Sequence, residues 1–372
     1  MKVLILSVST GYGHHATANA LAENLRLRGA EAEVVDVYEK INRLFQQGLS
    51  KGYLVTMKYL KTGYRLAYRH LEKRPPDTSE YSITGFINTL MGMKFSSFID
   101  DYGPDAVICT HPFAAQLVNE LKRRSRLTVP IVGIVTDYTL PPIWSDTSFV
   151  DYIVLPSEVL VPRCRKHGID PARVKPLGIP VQRKFSVKMP KAEARVKLGL
   201  DPELPTALLV SGSMGYGNIR EVAEQVRGMF PDLQLLVVCG NNQSQYRKLA
   251  PLDSPRFRVY GFVHNMDEMM DAADCIITKP GGLTVSEALA KVLPMILLSP
   301  IPGHEERNVE FLLNCGMALR ATPTFPLDEV IHQLFSQPER LRLMEQSIRL
   351  YHKPRAAEDI AEFVLSLGER KN

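Results

Sequence analysis

No stretch of this 372-residue chain reaches the roughly 18 uninterrupted apolar residues that a membrane-spanning helix requires. The N-terminal apolar run, residues 3–6, is too short for the core of a signal peptide and continues into a glycine loop, so a cytoplasmic protein is expected. Cysteine is scarce: Cys109, Cys164, Cys239, Cys275 and Cys315 lie far apart, form no CxxC pair and are odd in number. That pattern excludes a disulfide framework and predicts reduced, mostly buried thiols. Charge of one sign is lacking too, since 45 Lys and Arg against 40 Asp and Glu leave only +5. Nothing in that total calls for a nucleic-acid partner.

What is present is a soluble α/β composition, long enough for two domains of about 180 residues each. The organising stretch runs over residues 278–287 and reads TKPGGLTVSE. An apolar run, Cys275-Ile276-Ile277, is followed by Pro280-Gly281-Gly282 and an amphipathic segment headed by Thr284. This is strand, glycine turn and helix start, where unpaired amides and absent side chains suit a diphosphate. Glu287, three residues after Thr284, can complete a capping box or reach a ligand over the helix.

At the N-terminus, residues 2–9 read as a buried strand. Gly11-Tyr12-Gly13-His14-His15-Ala16 opens a helix that closes at Gly29, and residues 31–37 follow as a second strand. A βαβ unit of this kind implies a parallel sheet with its ligand crevice at the strands' carboxyl ends. GxGxxA with Asp36 at the end of the next strand also satisfies much of the dinucleotide fingerprint, so a nicotinamide enzyme stays open. Residues 41–74 carry eight basic side chains against the single acid Glu72, interleaved with Tyr53, Tyr59, Tyr64 and Tyr68. Such a segment, including Lys58, Lys61, Arg65 and Arg69, is either an anionic-membrane contact or a solvated basic helix.

Further strands end on His111-Pro112 and on Thr136-Asp137-Tyr138, where substrates sit in doubly wound sheets. Trp144, the only tryptophan, is either a lid over an apolar acceptor or core packing. Residues 183–192 show no hydrophobic pattern and mark a domain boundary. The expected division is 1–185 for a first domain, 186–354 for a second, and 355–372 for a C-terminal helix packing back on the first. The second half repeats the theme, with a strand at 206–210 ending in the glycine loop Ser211-Gly212-Ser213-Met214-Gly215-Tyr216-Gly217.

GSMGYG, GFV, PGGLTVSEAL and LPMILLSPIPGHEERN resemble the donor half of GT-B glycosyltransferases of the kind that includes MurG. GYGHHATA, TDYTLPPIW and GIPV resemble more specifically the diacylglycerol glycosyltransferases, and the likeness spans essentially the whole chain. The resemblance implies a GT-B fold, α/β, with two Rossmann-like doubly wound domains facing across a cleft. It implies that Ser211, Gly212, Met214 and Gly215 border a donor diphosphate and that the backbone of Phe262 and Val263 holds uracil. Gly281, Gly282, Leu283 and Thr284 would approach the phosphates, Glu287 the ribose hydroxyls, and Glu305 and Asn308 the sugar. His304 stands where family members often carry Gln, a departure that bears on sugar selectivity.

The chain has no Asp-x-Asp motif for a metal-bound diphosphate. Glycine loops and helix N-termini would then supply the positive potential, so no cofactor or metal is expected. His14 is the candidate base, since an imidazole of pKa about 6.5 is largely neutral at pH 7, and Asp137 is the candidate for orienting it or the acceptor. His15 reads as a helix-cap histidine and His111 as a loop histidine lining the pocket or holding the loop. The function expected is inverting transfer of a hexose from a UDP-sugar to diacylglycerol by a peripheral membrane enzyme on the cytoplasmic face. Alternatives are a MurG-like transfer to a polyprenyl-linked acceptor, a nicotinamide oxidoreductase, and a UDP-sugar-binding protein without turnover.

Overall fold

The computed structural model describes residues 1–9, 12–41, 95–210 and 219–369. The chain divides into two compact units, Met1–Arg183 with Ile301–His304 and Arg355–Asn372, and Lys184–Pro300 with Glu305–Pro354. Each is built on a six-stranded, wholly parallel sheet.

In the first unit the strands are β1 (Lys2–Ser7), β2 (Glu31–Asp36), β3 (Ala106–Cys109), β4 (Ile131–Ile134), β5 (Tyr152–Val154) and β6 (Val174–Lys175). Their spatial order is β2-β1-β3-β4-β5-β6. Near-continuous Val, Ile and Leu runs are buried on both faces, as a sheet covered by helices on each side demands. The helix Tyr12–Leu27 follows β1 and buries Ala16, Ala18, Leu21, Ala22 and Leu25 on the sheet. It stops where Gly29 takes φ +81°, with the amides of Gly29 and Ala30 returning to the carbonyls of Arg26 and Leu25. The last helix, Ala356–Glu369, adds Ile360, Ala361, Val364 and Leu367 to this same core.

The second unit holds β7 (Thr206–Val210), β8 (Gln234–Val238), β9 (Phe257–Tyr260), β10 (Cys275–Thr278), β11 (Met295–Leu297) and β12 (Ala318–Arg320), in the order β12-β11-β10-β7-β8-β9. Its core gathers Leu209, Val237, Ile277 and Ile296 from the sheet with Ala223, Val226, Val330 and Ile331 from the helices that cover it.

Strand order fixes where a ligand can sit. In the first unit the chain steps outward from β1 to β2 and then returns to lay β3 on the other side of β1. In the second it runs β7, β8, β9 and returns to lay β10 beside β7. Adjacent loops leave in opposite directions at these reversals and open a crevice at the strands' carboxyl ends. The first crevice lies at the carboxyl ends of β1 and β3, the second at those of β7 and β10.

Trp144 is 1% exposed, and its six-membered ring packs on β4 so closely that a Cβ on Gly133 would lie 2.4 Å from Cζ3. It is a core residue, so of the two readings packing holds, and its place among acceptor-side residues is corrected. Burial of its large apolar surface outweighs any use at the mouth of a site. Residues 158–166 form a 3-10 turn Glu158–Leu160 followed by a helix Val161–Lys166, which Pro162 opens in its first turn.

Candidate active site

His14 lies in the first turn of the helix Tyr12–Leu27, at the crevice between β1 and β3. Its Nδ1 is 2.8 Å from the main-chain oxygen of Thr110, just beyond β3, and 3.1 Å from Oγ1 of Thr136, just beyond β4. A carbonyl oxygen only accepts, so Nδ1 carries the proton and Nε2 is left with the lone pair. Burial pulls the imidazole below its usual pKa, against the opposing charge of Asp137, and His304 adds a smaller lowering effect. The ring is therefore neutral at physiological pH with one basic nitrogen. Asp137, expected to orient it, acts through its charge, while hydrogen bonding at Nδ1 falls to Thr110 and Thr136.

His111 meets His14 edge to face, with ring centroids 4.6 Å apart and planes at 77°. It is the N-cap of the helix Pro112–Arg123: its own Nδ1 accepts from the Phe113 amide at 3.1 Å. That cap needs the lone pair on Nδ1, so His111 is the Nε2–H tautomer, and burial holds its pKa well below the usual value. His15 shows no cap bond: among the described residues its buried Nδ1 has no hydrogen-bond partner.

Asp36 removes one of the sequence alternatives. Its Oδ2 accepts from the Ser9 amide at 2.7 Å, and its Oδ1 accepts from the amides of Tyr38 and Glu39 at 2.8 and 3.1 Å. Those bonds cap the short helix Val37–Ile41, so this carboxylate is engaged by backbone where a nicotinamide enzyme would use it on a ribose.

In the second unit the helix after β10 begins two residues earlier than the sequence suggested. It runs Gly282–Ala290 with Gly281 as N-cap and no side-chain cap bond. Gly282, Leu283 and Thr284 thus form its first turn, whose amides lack intrahelical acceptors. Thr284 is not an N-cap and Glu287 lies a turn inside, so the capping box is corrected. Burial pushes the Glu287 carboxyl up to about 8, with Lys184 opposing and Asp267 adding to the rise.

Asn308 is fully buried in the helix His304–Asn314, and its Nδ2 donates to the Pro280 carbonyl at 2.9 Å. It braces the glycine turn from within, where the family likeness had it facing a sugar. Glu305 is buried beside it, with Oε1 3.9 Å from where a Gly281 Cβ would stand. Phe262 is 44% exposed beyond β9 and meets the His264 ring edge-on at 5.1 Å, with Val263 half-buried between them. Lys184 secures this loop by donating to the His264 carbonyl at 2.5 Å and pairing with Asp267 at 3.4 Å. Sequence reasoning missed Lys184 and Thr110, and saw Thr136 only as a strand-end residue without its contact to His14, because each acts on a residue distant in the chain. Ser211, Gly212, Met214 and Gly215 of the β7 loop, and Lys58, Lys61, Arg65 and Arg69 of the basic stretch, lie outside the described residues.

The monogalactosyldiacylglycerol (MGDG) synthase family matches residues 14–181, and the glycosyltransferase family 28 C-terminal domain matches residues 206–362. The processive diacylglycerol beta-glucosyltransferase of Bacillus subtilis is 30% identical over 376 residues, covering 99% of this chain and 96% of the relative. This chain belongs to the diacylglycerol glycosyltransferase family. The Bacillus pumilus protein of the same name is 29% identical to this glycosyltransferase over 375 residues, 99% of this chain and 95% of the relative. Among solved structures, MurG of Acinetobacter baumannii aligns with a TM-score of 0.65 at 16% identity, covering 98% of this chain and 99% of that one. HepE of Anabaena in complex with UDP-glucose aligns at 0.52 and 14% identity, covering 100% and 98%. At such identities the likeness concerns the fold alone, and that fold is GT-B. Among the described residues of this glycosyltransferase, no helix is long and apolar enough to cross a membrane.

Proposed function

We propose that this enzyme transfers a hexose from a UDP-sugar to the free hydroxyl of diacylglycerol at a membrane surface, with inversion and without a metal. The observation that carries the reading is the tautomer of His14: a neutral imidazole at a topological switch point, with Nδ1–H held and Nε2 basic. The names of the curated relatives support the lipid acceptor, and the UDP-glucose complex of HepE supports the donor class.

In this reading the acceptor oxygen attacks the anomeric carbon as its proton passes to His14 Nε2. The bond from that carbon to the diphosphate oxygen breaks on the opposite face, and UDP leaves with the electron pair. Charge developing on the diphosphate meets the N-terminal amides of the helix Gly282–Ala290, with glycines removing side chains that would hold the phosphates off. The absence of Asp-x-Asp from the sequence supports assigning this task to backbone amides. Glu287 takes the ribose hydroxyls, the loop at Phe262 and Val263 takes uracil, and Glu305 and His304 lie toward the sugar. The basic stretch, with Lys58, Lys61, Arg65 and Arg69, draws the enzyme to anionic lipid.

The test is transfer from UDP-glucose and UDP-galactose, in parallel, to diacylglycerol in mixed micelles containing EDTA, with wild type and His14→Ala. We expect glycolipid from one donor or both, and a loss of about 10²- to 10⁴-fold in the variant with UDP affinity retained, the scale of a general base. Product only with a polyprenyl-linked acceptor would move the enzyme to MurG-like chemistry, and UDP binding without any product would leave a binding protein.

A further inference from the structure

Around His14 the first unit brings together groups from three separate places in the chain. Thr110 and His111 follow β3, Thr136 and Asp137 follow β4, and His304 begins the helix His304–Asn314. Thr110 offers a main-chain oxygen and fixes which nitrogen holds the proton, whatever its side chain. One acceptor leaves the ring free to rock about that bond, and a base that rocks loses its line to the acceptor hydroxyl.

Two further contacts remove that freedom. Oγ1 of Thr136 accepts from the same Nδ1–H at 3.1 Å, so the N–H points between two acceptors. The His111 ring stands nearly perpendicular against the His14 ring at 4.6 Å. His111 is held in turn, because its Nδ1 is committed to the Phe113 amide as the helix cap. Protonating that nitrogen would break the cap, so His111 stays neutral and presents a rigid, uncharged ring edge or face to His14.

We propose that Thr136 and His111 are positioning residues for His14, the hydroxyl fixing the direction of Nδ1–H and the capped imidazole fixing the ring plane, so that Nε2 alone is presented to the acceptor. The proposal rests on the reading of His14 as the base. It assigns His111 two tasks with one side chain: closing the helix Pro112–Arg123 and walling the base. Among the described residues the charged and titratable groups facing His14 are Asp137, His111 and His304, and none is altered by changing Thr136.

The variants follow from the geometry. Thr136→Val keeps shape and removes the acceptor, and Thr136→Ser restores it. His111→Asn keeps an N-cap oxygen for the Phe113 amide and removes the ring. Full-length enzyme labelled with 15N-histidine would be titrated and its long-range 1H–15N spectra read for tautomer, the His14 signal being assigned by its loss in His14→Ala. Wild type should show His14 as Nδ1–H. Thr136→Val should lower kcat about tenfold with UDP affinity and donor KM unchanged, and Thr136→Ser should recover it. His111→Asn should raise the His14 pKa, since removing the ring admits water, and carry the acid limb of kcat/KM to higher pH.

An Nε2–H tautomer in wild type, or wild-type kcat and titration in both Thr136→Val and His111→Asn, overturns the proposal. Full turnover in His14→Ala overturns instead the reading of the base. An inactive His14→Ala beside unaffected Thr136 and His111 variants removes only the positioning.

Discussion

At the scale of single residues, the site is governed by which nitrogen or oxygen is already engaged before a substrate arrives. Asp36 is engaged by three amides as a backbone cap. His14 is engaged at Nδ1 and free to act at Nε2. Glu287 is the opposite case, a carboxyl whose surroundings favour its protonated form up to about pH 8. If it holds the ribose hydroxyls as a carboxylate, the free enzyme must release a proton on binding at pH 7. UDP affinity should then rise with pH until about 8 and level off above. Calorimetry at pH 7 in buffers of different ionisation enthalpy should show that proton release, and Glu287→Gln should abolish both it and the pH dependence. Hydrogen bonding by the neutral acid would instead give an affinity flat below about pH 8 and falling above it, with no proton release at pH 7.

At the scale of elements, the second unit is fastened by charges on two facing helices. Met266–Ala272 carries Asp267 and Asp271 four residues apart, and Lys291, four residues after Glu287, closes the helix Gly282–Ala290. Lys291 and Asp271 are 1% and 3% exposed and 2.6 Å apart, and Lys291 also donates to the Val187 carbonyl at 2.5 Å. Asp271 takes the Met189 amide at 3.2 Å, so the pair pins the entering chain to both helices. Burial raises the Asp271 pKa against the pull of Lys291, the mark of a desolvated carboxylate that depends on its partner. Lys291→Met should cost about 3 to 5 kcal/mol, the scale for a buried charge left alone. The double variant Lys291→Met with Asp271→Asn should regain most of it, because the amide oxygen still accepts from Met189. Thermal unfolding of the three proteins decides this, and equal losses in single and double variants would refute it.

At the scale of the whole molecule, each sheet places its crevice where the strand order reverses, and the C-terminal helix returns to complete the first core. The net charge of +5 hides the concentration of basic side chains in residues 41–74. If that stretch meets anionic lipid, replacing Lys58, Lys61, Arg65 and Arg69 by Gln should weaken binding to phosphatidylserine vesicles by about 1 kcal/mol per charge. Vesicle sedimentation at fixed ionic strength measures this, and unchanged binding would make the stretch an ordinary solvated face.

Much of this architecture was written in local pattern. Apolar runs such as residues 2–7 and 206–210 mark buried parallel strands, and glycine after a strand marks a helix start bared for an anion, because strand burial and backbone freedom depend on near neighbours in sequence. His14 and the Pro280-Gly281-Gly282 turn were legible for that reason. The start of the helix Gly282–Ala290 was not, because Thr284 followed by Glu287 imitates a cap while the true first turn is set by how β10 delivers the chain. Nor could the sequence tell Trp144 as lid from Trp144 as core, since the deciding neighbour is the bare backbone of Gly133 on β4. The order of strands, and with it the meeting of His14 with Thr110, His111 and Thr136 across about a hundred residues, was decided by the tertiary structure alone. Parallel strands are joined by crossovers, and a crossover's length does not say on which side of its partner the next strand will pair.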